Sequence, residues 1–88
     1  MYEWDEAKRR ENLRRHGVDF AIVEGFEWLN SIASEDTSER YGEPRFISIG
    51  PIGTQLYVLV WTERTDAIRV ISLRKANRLE RRRHEEEF

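Results

Sequence analysis

The chain contains no cysteine, which excludes disulfides, thiolate nucleophiles and cysteine-ligated zinc together. It has only two histidines, His16 and His84. They do not fall at an HExxH-type spacing, so a histidine-rich metal site is not expected either. No G-x-G-x-x-G or Walker sequence is present, so neither a nucleotide cofactor nor any other cofactor is expected. Ser48 and Ser72 fall in predicted strands, without a nucleophile-elbow context. No apolar run approaches the roughly 20 residues of a membrane span, and the opening MYEWDEAKRR does not have the pattern of a signal peptide. A cytoplasmic protein without membrane association is the expectation.

What remains is a short, highly charged chain with the means to fold. Its 88 residues suit one domain spanning 1–88. Ten aromatics and several β-branched runs argue for a packed core, although a chain of this size buries a modest share of its surface and gains from a partner. Tyr2-Glu3-Trp4 fits a short strand. Asp5 is a good N-cap, Glu6 sits in the first turn, and Arg14, Arg15 and His16 precede Gly17, so a helix is predicted over 6–16. Asp19 suits a second cap, for a helix of roughly 20–29 stapled by Val18 and Val23. The pattern then changes to strands. Segments 31–35, 45–49, 55–62 and 67–73 are separated by a polar loop over 36–44, a Gly50-Pro51-Ile52-Gly53 turn and a turn over 63–66. Segment 55–62 is apolar on both faces, with Leu56, Val58 and Val60 opposite Tyr57, Leu59 and Trp61, so it reads as the central strand. A last helix is expected over about 76–87. Strands in sequence joined by short turns imply an α+β fold, with a small antiparallel β-sheet, two N-terminal helices and a C-terminal helix.

The net charge of −2 conceals a split. Residues 1–44 hold eleven acids and six bases, and residues 45–88 hold six acids and nine bases. Between Arg64 and Arg83 lie eight bases, seven of them arginine, against Asp66 and Glu80. The planar guanidinium matches phosphate geometry, so this segment is suited to nucleic acid; a solvated helix face accounts for the same charges. Lys8, Asn12 and His16 recur every four residues on one stripe of the first helix. His16 there is either a favourable partner of the helix dipole or a proton carrier. Arg69 and Arg74 are an odd number of residues apart, which places them on opposite faces of an ideal strand. They meet one phosphate only if the strand ends or bulges near Arg74. Glu80 and His84, four apart on the last helix, are either an exposed pair or two further proton carriers.

In order and spacing, these residues resemble the BrnT family of bacterial type II toxin–antitoxin ribonucleases. The matching stretches are Glu3-Trp4-Asp5-Glu6-Ala7-Lys8, Asn12, His16-Gly17-Val18-Asp19-Phe20, Tyr41-Gly42-Glu43-Pro44-Arg45, Ile49-Gly50, Thr62-Glu63-Arg64, Ile68 to Ala76, and Glu80. The resemblance implies a RelE-like fold and a metal-independent endoribonuclease. It also implies neutralisation by a BrnA-like ribbon-helix-helix antitoxin, through which alone the toxin would meet DNA. Arg15 stands where lysine is frequent in the family, and His84 stands near a common tyrosine. Set against the chemistry of RNA cleavage, the candidates for catalysis are His16, Arg64, Arg74 and Glu80, with His84 as a substitute proton carrier. Lys8, Arg69, Lys75 and Arg78 are the candidates for binding RNA phosphates. The competing reading is a non-catalytic RNA- or antitoxin-binding module, a subunit of an autorepressor complex.

Overall fold

A computed structural model describes residues 1–37 and 39–88; Ser38, inside the expected polar loop over 36–44, lies outside the described residues. The elements follow the order β1 (Tyr2–Glu3), α1 (Glu6–His16), two 3₁₀ turns (Phe20–Gly25 and Trp28–Asn30), β2 (Ile32–Glu35), β3 (Phe46–Ile52), β4 (Gln55–Arg64), β5 (Ala67–Lys75) and α2 (Arg78–Glu87). The fold is α+β, and its sheet has the spatial order β1-β5-β4-β3-β2. β4 is therefore central, as its two apolar faces predict. Among the described residues, no helix is long and apolar enough to cross a membrane.

Three expectations are corrected. The sheet is mixed, because β1 pairs parallel to β5, with Tyr2 opposite Ile68 and Glu3 opposite Arg69; the other pairs are antiparallel. The helix expected over 20–29 is two 3₁₀ turns. Asp19 does cap the first, accepting from Ala21 N at 2.9 Å, but Phe26 leaves the helix to bridge Ile52. Burying Phe26 against the sheet outweighs one further turn of weak helix. Finally, the expected turn at 50–53 is narrower, since β3 runs through Pro51 to Ile52. The reversal falls on Gly53-Thr54, where Gly53 takes φ +62°, a left-handed value suited to glycine in a two-residue hairpin.

The two sheet faces are packed unequally. On one face, Val18, Phe20, Val23 and Phe26 bury Leu59, Val70 and Leu73. Val18 and Val23 are thus both core residues. On the other face, a smaller cluster of Ile49, Val58 and Ala76 lies beside α2, and no α2 side chain is buried. α1 has the caps read from its sequence: Asp5 accepts from Ala7 N and Lys8 N, and Gly17 takes a left-handed φ of 69°. Its one buried side chain is Asn12. The Asn12 amide donates to Leu73 O at 2.7 Å and to Val18 O at 3.0 Å, and accepts from Leu73 N at 3.2 Å. β1 ends after pairing with Ile68 and Arg69, and Asn12 satisfies the same β5 edge further on, at Leu73. A polar contact, not an apolar stripe, seats α1 along the β5 edge.

Candidate functional site

An irregularity in β5 builds the site. Val60 pairs with Ser72, but Trp61 pairs with Val70, so Ile71 is an extra residue without a partner. Such a bulge reverses the parity of the strand. Arg74 lies opposite Val58 and Arg69 opposite Thr62, and on β4 positions 58, 62 and 64 share one face. Arg64, Arg69 and Arg74 consequently all project from the α2 face of the sheet.

Each of the three is held by a carboxylate from a different element. Glu3 of β1 accepts from Arg69 Nη1 at 2.7 Å. Glu43, in the loop before β3, pairs with Arg64. That loop is fixed by Thr62 Oγ1, which donates to Pro44 O at 2.7 Å, and by the Arg45 guanidinium, 3.9 Å over the Tyr41 ring. Arg74 makes a two-pronged pair with Glu80 at 2.8 and 2.7 Å. Glu80 also completes the start of α2, accepting from Asn77 N at 2.8 Å while Asn77 Oδ1 accepts from Glu80 N at 2.9 Å. This reciprocal cap starts α2 at Arg78, two residues later than the sequence reading. The Glu80 carboxyl is held below the usual carboxylate range, first by the Arg74 hydrogen bonds and next by the Asn77 N–H, against the opposing effect of burial. Glu43 is lowered in the same way by Arg64, with Arg45 and Arg69 adding to the field.

An open groove of about 300 Å³ runs between α2 and the sheet. Ile32, Ile47, Ile49, Val58 and Val60 form its floor, and Arg74, Glu80, Arg83 and Glu87 its charged wall. Lys75 ends β5 and Arg78 opens α2; both are exposed and flank Arg74. His84 faces elsewhere: its Nε2 lies 2.6 Å from Asn30 O. A carbonyl only accepts, so that nitrogen carries the proton. The ring also stacks on Phe88 at 4.6 Å.

Lys8 and His16 are not in this groove. They line a second, smaller depression between α1 and the β5 edge, together with Arg15, Ile71 and Ser72. The fold therefore brings Arg64, Arg69, Arg74 and Glu80 to one face, and places His16 and Lys8 around the edge of β5. Sequence reasoning missed the carboxylates Glu3 and Glu43, along with Arg83 and Ser72. Asn77-Arg78-Leu79-Glu80 does carry a legible capping signal, whereas nothing local links Glu3 to Arg69. Among the described residues, no three His, Cys, Asp or Glu side chains come together as a metal site.

Compared with known families, residues 4–80 match the family model described as ribonuclease toxin, BrnT, of type II toxin–antitoxin system. No curated protein matches the chain.

Proposed function

Because the chain belongs to the BrnT family of ribonuclease toxins of type II toxin–antitoxin systems, we propose that it is a single-domain cytoplasmic endoribonuclease that cleaves RNA on the α2 face of its sheet without a metal ion. One observation carries this reading: the β5 bulge turns Arg69 and Arg74 to the same face as Arg64 of β4, the face where Glu80 and the start of α2 also lie. An RNA strand laid along that face meets guanidinium groups at intervals of about 13 Å or less, the partners of Arg69 and Arg74 being four β4 residues apart. Arg74 stands beside the N-terminus of α2, where backbone N–H groups and the helix dipole favour an anion. A guanidinium carries five N–H donors. Arg74 makes two contacts to Glu80 and a longer one to Lys75 O at 3.3 Å, and the remaining donors are open to a phosphate.

Cleavage then proceeds by internal transesterification. The 2′-oxygen forms a bond to phosphorus and the P–O5′ bond breaks, leaving a 2′,3′-cyclic phosphate and a 5′-hydroxyl. Glu80, adjacent to the phosphate that Arg74 holds, takes the 2′-hydroxyl proton. His16, beside Ser72 and two positions along β5 from Arg74, returns a proton to the departing 5′-oxygen. Arg74 stabilises the charge that grows on the non-bridging oxygens, commonly the largest catalytic contribution; Arg64, six residues along β4 from Arg74's partner Val58 and so about 20 Å away, acts on the strand further along the face. Lys8, Arg69, Lys75 and Arg78 hold flanking phosphates. A BrnA-like antitoxin covers this basic face in the neutralised complex and supplies any contact with DNA.

The test is incubation of purified protein with a labelled RNA in excess EDTA, with product ends identified by phosphatase and kinase treatment. Cleavage to cyclic-phosphate ends is expected. Loss of cleavage on chelation, restored by a divalent ion, refutes the metal-free route. Binding of RNA with no cleavage under any condition leaves the non-catalytic module as the better reading.

A further inference from the structure

Arg64, Arg69 and Arg74 are each engaged by a carboxylate. In the depression beside β5, by contrast, Lys8, Arg15 and His16 have no hydrogen bond or ion pair among the described residues. Glu11 lies at the same place, is hydrogen-bonded to Arg14 and feels the field of Arg15, so it is one carboxylate shared among more than one cation. Lys8 and Arg15, two turns apart on α1, and His16 beside Arg15 line the same hollow, where the two fixed positive charges outnumber the one carboxylate. The excess positive charge around the hollow favours a further anion there.

The hollow has definite chemistry. Asn12 forms its back wall and is fully committed to the backbone of β5 and to Val18 O, so the amide is a scaffold and the cations are the ligands. Ser72 adds a hydroxyl from the strand side. Ser72 is also the register partner of Val60, whose side chain floors the α2 groove. The hollow is thus next to the arginine face, reached by passing over β5 at the bulge. Its volume is about 150 Å³, below the roughly 300–1,000 Å³ of pockets that take a whole small molecule. It suits one charged group of a longer ligand.

We propose that this depression is a phosphodiester-binding subsite in which Lys8 and Arg15 supply charge and Ser72 a hydrogen bond, so that single-stranded RNA crosses the β5 edge from the arginine face, past His16, onto α1. The inference rests on the RNA-cleaving reading above for the identity of the ligand, but the subsite itself is tested by binding alone. An acidic segment of a protein partner is the rival occupant. The hollow's small size and its adjacency to the arginine face favour the nucleic acid.

The probe is an eight-nucleotide oligodeoxythymidine, which has no 2′-hydroxyl and is not a substrate for transesterification. Its affinity is measured by fluorescence anisotropy across a salt series for the parent, for Lys8→Gln/Arg15→Gln and for Arg10→Gln. Arg10 lies on the opposite side of α1. For single strands, log K falls with log salt by about 0.7 per phosphate contact. The double variant is expected to bind about tenfold more weakly, with a slope shallower by about 1.4. Arg10→Gln is expected to match the parent, and amide resonances of His16 and Ser72 should move on titration of the parent. An unchanged slope in the double variant overturns the proposal, as does an equal loss in Arg10→Gln. So does a double variant that keeps oligonucleotide affinity but loses affinity for the antitoxin. A protein that binds the probe here yet cleaves no RNA upholds the subsite and refutes the enzymatic reading. One that cleaves RNA with the slope unchanged does the reverse.

Discussion

Replacing Arg74 by alanine separates chemistry from architecture, because the two consequences differ in size. The Arg74–Glu80 pair has two N–H···O contacts, at 2.8 and 2.7 Å, with side chains 37% and 18% exposed. Exposed ion pairs contribute about 0.2–1 kcal/mol. A two-pronged, half-buried pair belongs at the upper end, discounted for solvent screening of the arginine. The loss is partly offset because Glu80 keeps the Asn77 N–H. About 1 kcal/mol is the expected cost, a fall in Tm of about 4–8 °C for a domain of this size. From a stability of about 5 kcal/mol, that raises the unfolded fraction only to about 10⁻³. Unfolding therefore removes almost none of the activity at 25 °C. Loss of one preorganised donor from the transition state costs about 10²-fold or more in kcat. Arg74→Lys, which keeps the charge but not the fork, is expected to fall between parent and alanine. The assay is steady-state cleavage of a labelled RNA, with Tm measured on the same preparation. A folded Arg74→Ala protein with kcat close to the parent's refutes the reasoning. A Tm collapse with activity tracking the folded fraction assigns Arg74 to holding α2 alone.

Further expectations concern the scaffold and pH. Asn12→Ala leaves the Leu73 N–H and C=O without their side-chain partner at a buried edge, at about 2 kcal/mol; calorimetry should show Tm lower by roughly 10 °C, and an unchanged Tm removes Asn12 as the seat of α1. Gly50→Ala places a Cβ 2.8 Å from both Phe26 Cζ and Ser31 Cβ, so overpacking of about 1–3 kcal/mol is expected, and a variant as stable as the parent in urea denies that close approach. Glu80 and Glu43 have folded carboxyls below the ordinary value of 4.5, so their stabilisation is complete above that value and is lost as pH falls through the folded values. Tm should be nearly flat above about pH 5 and drop below it, and Glu80→Gln should lose part of the drop; an identical acid profile in Glu80→Gln excludes this carboxyl as a source.

How much of this was legible in the sequence depended on how local the deciding interaction is. α1 was legible to its last residue because Asp5, Glu6, the terminal basic run and Gly17 all act within a turn of its ends. The central strand was legible because burial on both faces leaves no polar alternation in Gln55–Thr62. The segment after Asp19 carried an equally good cap, yet the helix did not follow. Phe26 has a place in the core against Ile52 and Trp28, and no periodicity within the segment records that place. The parallel pairing of β1 was hidden for the same reason, since its partner Ile68-Arg69 lies at the other end of the chain.

The site illustrates the limit more sharply. Arg69 and Arg74 have the wrong spacing to share a face of a regular strand, and a strict period-2 reading separates them. Only a bulge reconciles them, and a bulge is specified by both strands together. Val70 and Leu73 are each buried on the core face, at 1% and 0% exposure, although they too are an odd number of residues apart. Both cannot reach one core without an extra residue between them, and Ile71 is that residue. The same shift that satisfies the core on one side of β5 turns Arg69 and Arg74 together on the other. The pair of misfit parities, apolar 70/73 and basic 69/74, is therefore a single signal. It was present in the sequence as two anomalies of the same sign, and its reading required the register of β4.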